Sequence, residues 1–274
     1  MQVDSIDEQL RNNLWDALTI FYWDRVTPSL VGRSLLWLPD HSDMNALLRL
    51  VWHLFFQLPG DTLSNYWTET RGRLRGWFFE FQWYEVYDFI EFVANHYPDE
   101  DGSVNSGFMD FCNIVLERHL SAYRFVGGQI ADVTSEEEIS EIEQALEATQ
   151  GLEAVNTHLH TALSRFSDRK SPDYRNSIKE SISAVESLCS LISGDEKATL
   201  GHALKEIEKH VQLHGALKSA FEKLYGYTSD ADGIRHALLE ESNLRSEDAK
   251  FMLVACSAFI NYVIAKASRA GITL

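Results

Sequence analysis

The sequence predicts a mainly α protein of two helical domains, with a small β-hairpin near the end of the first. Three observations carry this reading. Apolar residues recur at helical spacing along most of the 274 residues, the pattern of helices that bury one stripe. All seven tryptophans lie before residue 84 and every lysine lies after residue 169. Residues 1–150 carry 9 Arg against 25 Asp plus Glu, a charge of −16, and residues 151–274 carry 15 Lys plus Arg against 16 acids, a charge of −1. Nearly all of the net −17 therefore sits in one half. Two folding units with different surfaces account for this better than one uniform domain, and the length suits two. The boundary is placed at residues 149–151, giving domains 1–150 and 151–274.

The first helix is expected over residues 5–25, with Leu10, Leu14, Leu18 and Phe21 on one stripe, Ser5 as its cap and Pro28 just past its end. Asp43 is the expected cap of a second helix through Leu47, Leu48, Val51, Leu54 and Phe55, ended by Pro59-Gly60. A third is expected over 63–79 despite Gly72 and Gly76, a fourth over 83–96, and a fifth over 108–120. The period then changes. Two short runs, Tyr123 to Val126 and Gln129 to Val133, flank Gly127-Gly128, and paired glycines supply the positive φ of a tight hairpin turn. Thr134 or Ser135 starts the next helix, whose Glu136, Glu137 and Glu138 lie where the helix dipole favours anions. In the second half, helices are expected over 152–166, 174–192, 197–211, 216–225, a short stretch after Gly233, and 246–267. The last is apolar nearly all round, so it is the expected central buried helix.

Composition narrows the function classes. The N-terminus, Met1 to Glu8, is acidic and has no apolar core, unlike a signal peptide. Ser257 and Asn261 interrupt the apolar run 251–267, which reads as a buried helix and not a membrane span. Cys112, Cys189 and Cys256 are odd in number, far apart and set in apolar runs, as core thiols of a cytoplasmic protein would be. Overall acidity opposes tight nonspecific duplex binding, which needs clustered Lys and Arg; a local basic cleft in the near-neutral second half is compatible with it.

Several constellations bear on chemistry. Glu206, His210 and His214 are spaced i, i+4, i+8, as zinc ligands on one helical face would be, but Gly215 is expected to end that helix. His158 and His160 are two apart and diverge on a helix. Arg71, Arg73 and Arg75 precede Trp77, Phe78, Phe79, Phe81 and Trp83, which reads either as core packing with a basic edge or as a stacking platform for a single strand. The turn Asp99-Glu100-Asp101-Gly102 lacks the further ligands of a calcium loop. No metal site and no cofactor is expected.

Two stretches resemble known domains. Arg11 to Asp16, Trp83 to Phe92, and the hairpin followed by Thr134 to Ile139 resemble one class of N-terminal domain of AbiJ-like abortive-infection proteins. Asp173 to Glu180, Ala184 to Cys189, and Gly233 to Leu238 resemble the HEPN-like helical domains that follow such sensors. The resemblance implies bacterial antiviral defence: a front domain responding to a phage or host trigger, and a back domain that forms a homodimer and binds or cleaves RNA. HEPN ribonucleases carry Arg, four to six residues, then His. Their chemistry is metal-independent: an imidazole moves protons near neutral pH and a guanidinium grips phosphate at two points.

Here Arg175-Asn176 matches the opening of that motif and implies RNA contact, yet Glu180, Ser181 and Ile182 stand where His is expected. The nearest substitute is the adjacent pair Arg235-His236, after the polar turn 227–233. In one reading Arg235 contacts phosphate and His236 is an acid or base; in the other Arg235 pairs with an acid such as Asp232 and His236 packs. Neighbours on a helix point about 100° apart, so one chain does not aim both at one phosphate in the family's manner. The rival to a ribonuclease is a non-enzymatic dimerisation or interaction module of a defence or toxin–antitoxin system.

Overall fold

Asp7, two residues beyond the expected cap Ser5, starts the first helix: its Oδ1 accepts from the Leu10 amide at 2.7 Å, and Gln2 Oε1 accepts from its own amide at 2.7 Å. The computed structural model describes residues 1–26, 29–31, 35–37, 42–195, 200–209, 214–230 and 244–274. It is mainly α and divides into two compact units, Met1–Thr134 and Ser135–Leu274.

In the first unit, α1 (Glu8–Phe21) buries Leu10, Leu14, Trp15, Ala17 and Leu18. A hairpin of β1 (Ser29–Val31) and β2 (Leu35–Trp37), antiparallel with Leu30 opposite Leu36, is not expected from the sequence, which has no glycine pair there to mark a tight turn. Ser42, one residue before the expected Asp43, caps α2 (Asp43–Leu50), which continues into a π-helical turn at Val51–Phe55. Then come α3 (Trp67–Glu80), α4 (Trp83–His96) with a capping box between Gln82 and Glu85, and α5 (Ser103–Arg118). The last begins five residues before the expected Phe108, because Asp99 Oδ2 accepts from the amides of Val104 and Asn105 at 2.8 and 2.9 Å. The acidic turn is thus a helix cap. The expected hairpin is present as β3 (Arg124–Val126) and β4 (Gln129–Ala131). At its turn Gly128 has φ +84°, which strains any other residue, and a Cβ there would lie 2.9 Å from Asn95 Oδ1, so that the Asn95 side chain would have to shift.

The tryptophans gather in this unit's core. Trp15, Trp23, Trp52 and Trp67 are buried; Trp15 meets Trp23 and Phe78, and Trp23 meets Trp67 at 5.8 Å. Tilted and edge-on rings of this kind add to what burial alone contributes. Phe21 meets Phe108 and Phe111 while Asn13 meets His119, so α1 and α5 run antiparallel.

The second unit comprises α6 (Glu136–Ala148), α7 (Glu153–Ser167), α8 (Tyr174–Ser193), α9 (Leu200–Glu208), α10 (Gly215–Asp230) and α11 (Ser246–Arg269). Ser135 caps α6, above the three first-turn glutamates. As expected, α11 is the central helix: it packs on α6, α7 and α8 and buries Met252, Leu253, Cys256, Phe259, Ile260 and Val263. Among the described residues it alone is long and apolar enough to cross a membrane by length and composition. The division between units falls a helix ahead of the expected boundary at 150, because α6 packs on α11. All three cysteines are buried and free. Burial pushes the Cys112 thiol well up and those of Cys189 and Cys256 to about 12.

Candidate functional site

The antiparallel hairpin of α7 and α8 brings the second unit's polar chemistry together. Val155, Leu159, Leu163 and Phe166 on α7 and Ile178, Ile182, Val185 and Leu188 on α8 are its buried stripes. Small residues let the helices approach: buried Ser177 donates its hydroxyl to the Ala162 carbonyl at 2.8 Å. The register continues outward, with the Asp173 amide on the Arg165 carbonyl at 3.0 Å and the Phe166 ring beside Tyr174.

The acids of the connecting turn bond to its backbone. Asp168 Oδ1 accepts from the Ser171 and Lys170 amides, both at 2.9 Å, and these bonds hold its carboxyl below the usual range. Asp173 caps α8: it accepts from the Asn176 amide at 3.1 Å and, through its other oxygen, from Asn176 Nδ2 at 2.7 Å. Asn176, read from the sequence as an RNA contact, is thus exposed and tied to the cap, and Arg175 is half-buried in the first turn. Around them stand Arg165, Arg169, Lys170 and Lys179, with Arg165, Lys170 and Lys179 exposed.

One turn along α8, Glu180 meets His158 of α7: Nδ1 and Oε2 are 2.6 Å apart. Glu180 occupies a position where the resembled motif has His, and the structure supplies an imidazole to it from the neighbouring helix. A carboxylate only accepts, so against one Nδ1 carries the hydrogen, and the imidazole in its neutral form then presents its lone pair at Nε2. Among the described residues Nε2 has no hydrogen-bond partner. The histidine side chain is 35% exposed and the glutamate 20%, so the pair is reachable from solvent. In the sequence His158 stands out only beside His160. Its partner lies 22 residues away on another helix, a separation that no local pattern marks.

The other candidates named from the sequence separate. Arg235 and His236 lie outside the described residues. Glu206 and His214 do not share a helix: α9 ends at Glu208, and Gly215, expected to end a helix, begins α10; His210 lies outside the described residues. In the first unit the arginines cover the aromatic core. Arg73 lies over Trp77 at 4.9 Å and Trp52 at 5.4 Å and donates to the Thr62 carbonyl, and Arg75 lies over Phe79 at 4.7 Å. Arg71 stands 3.8 Å from Asp24, and Arg11 closes the end of α3 by donating to the Phe78 and Phe81 carbonyls. Rings whose faces hold guanidinium groups are not open to stack bases. An apolar pocket between α8, α10 and α11, lined by Ile182, Val185, Phe221, Cys256 and Phe259, offers about 20 Å³, room for little more than a water.

Residues 1–148 match the family model described as AbiJ N-terminal domain 4, a span covering the first unit and α6. No curated protein and no solved structure matches the chain.

Proposed function

The chain belongs to the AbiJ N-terminal domain 4 family, and on that premise we propose that it is a bacterial abortive-infection defence protein whose first unit registers infection and whose second, a HEPN-like unit, binds or cleaves RNA. The family itself points to abortive-infection defence. The RNA half is supported by the end of the α7–α8 hairpin. Residues 165–179 carry five cations against two acids, and the Arg165, Lys170 and Lys179 side chains are exposed. A cluster of this kind in an otherwise acidic chain is what phosphate contact requires. The reading includes a homodimer through the second unit, since two-fold pairing is the commonest assembly.

Two measurements test it. A bacterial host expressing the chain should plate phage less efficiently than one without it. The purified chain should retain single-stranded RNA, with affinity falling as salt rises, and Arg165→Glu, Lys170→Glu and Lys179→Glu together should weaken retention at least ~10-fold. Equal retention by that triple variant would remove the RNA reading. Phage protection without any RNA retention would favour the interaction module, which the missing Arg-to-His spacing also fits.

A further inference from the structure

We propose that His158 and Glu180 form an acid–base pair on the α7–α8 hairpin, with His158 Nε2 taking the proton of an RNA 2′-hydroxyl. This rests on reading the second unit as acting on RNA. The hairpin does not need the pair for its stability. A partly exposed contact of this kind between two helices is a small term, and the hairpin is also held by its apolar stripes and by Ser177 on the Ala162 carbonyl. The geometry does more than an ion pair requires. The carboxylate on Nδ1 selects one tautomer, fixes the ring and leaves the opposite nitrogen as the acceptor, the role a buried acid plays in hydrolytic triads. That opposite nitrogen has no hydrogen-bond partner among the described residues, and the His158 side chain is partly exposed.

The surroundings suit a phosphodiester. Arg165 lies seven residues after His158, on the same stripe of α7, and is exposed. Lys179, also exposed, precedes Glu180. These cations would hold phosphate oxygens while Nε2 faces the ribose, guanidinium being suited to two-point contact. In the step, Nε2 accepts the 2′-hydroxyl proton and the 2′-oxygen forms a bond to the adjacent phosphorus. The bond from phosphorus to the 5′-oxygen breaks, that oxygen takes a proton from water, and the resulting hydroxide is neutralised by the proton that Nε2 gives up. The products are a 2′,3′-cyclic phosphate and a 5′-hydroxyl, with no change of oxidation state. His158 is the catalytic residue; Glu180 is a positioning residue acting through it.

The full-length chain is incubated in EDTA with an end-labelled single-stranded RNA and with the same oligonucleotide made 2′-deoxy. The expected result is cutting of the first, with cyclic-phosphate ends, and none of the second. His158→Ala should lower the rate by ~10²-fold or more, with RNA retention and thermal midpoint held, and added imidazole should restore some of it. Glu180→Gln should lower it roughly 10-fold or more without changing retention. Undiminished cutting by His158→Ala overturns the pair and leaves the RNA reading standing. Loss of cutting with a lowered thermal midpoint and no recovery in imidazole makes the pair structural and overturns its chemistry. Retention of RNA with no cutting by the wild type overturns the pair and reduces the RNA reading to binding; neither retention nor cutting overturns both.

Discussion

Asn261 on α11 reaches Glu141 on α6 twice through one amide nitrogen, donating to its carbonyl at 3.0 Å and its carboxylate at 2.9 Å. The family match ends with α6, yet these bonds and the packing of α6 on α11 tie that helix to the second unit. A fragment of residues 135–274 should therefore melt cooperatively. One of residues 151–274 lacks the helix that covers α11 and should be insoluble or melt at lower temperature, measured by circular dichroism. Equal melting of the two would show that α6 is dispensable to the second unit.

Leu120 has φ +53° just past the end of α5, where the Ser121 amide bonds to the Leu116 carbonyl. That left-handed position costs a leucine about 1–2 kcal/mol and suits glycine. The side chain is 67% exposed, so little packing is lost on removing it. Leu120→Gly should stabilise the first unit by about 0.5–1 kcal/mol, after glycine's extra unfolded-chain entropy is deducted. A lower urea midpoint for the variant would show that Leu120 makes contacts its exposure does not indicate.

Cys189 and Cys256 are raised by burial from the usual 9.0 to about 12. Between those values unfolded chains release thiol protons that folded chains retain, so stability must fall as pH rises. The contribution is fully present below about pH 9 and is lost progressively toward pH 12. Urea midpoints at pH 8 and pH 10.5 should show the decline, and Cys189→Ala with Cys256→Ala should make it shallower. An unchanged slope in that double variant would assign the alkaline loss to other groups.

Arg73 bridges the faces of Trp52 and Trp77 and binds the Thr62 carbonyl. Arg73→Ala should destabilise the chain by about 1 kcal/mol and leave RNA retention unaltered. A large loss of RNA retention with normal stability would restore the single-strand platform.

The adjacent Arg235 and His236 lie outside the described residues and rest on sequence alone. If they contribute to cutting, His236→Ala should slow it ~10²-fold and Arg235→Lys should also slow it, because an ammonium lacks the two-point fork. Full rates in both clear them. For assembly, light scattering should give twice the chain mass of 31.3 kDa, and a monomer at micromolar concentration would exclude the homodimer.

Periodic signals are the legible ones. The 3.6-residue recurrence identifies α4, α7, α8 and α11 to within one or two residues at each end, because each buries one long stripe. Gly127-Gly128 announces its hairpin because few other residues tolerate that backbone. Helix starts are less legible. Asp7, Ser42 and Asp99 act as caps through bonds whose competition with neighbouring Ser5, Asp43 and Gly102 depends on where the preceding chain lies.

The sequence by itself determined the class of fold, the aromatic and acidic character of the first half, and the thiols as core groups, since each follows from composition or local period. Tertiary structure alone decided which helices share a unit and which side chains meet. Asn261 and Glu141 are 120 residues apart, and His158 and Glu180 lie on different helices. No local spacing encodes such meetings; they follow from the apolar stripes of α7, α8 and α11 finding one another, which sets the register and carries the polar residues along with it.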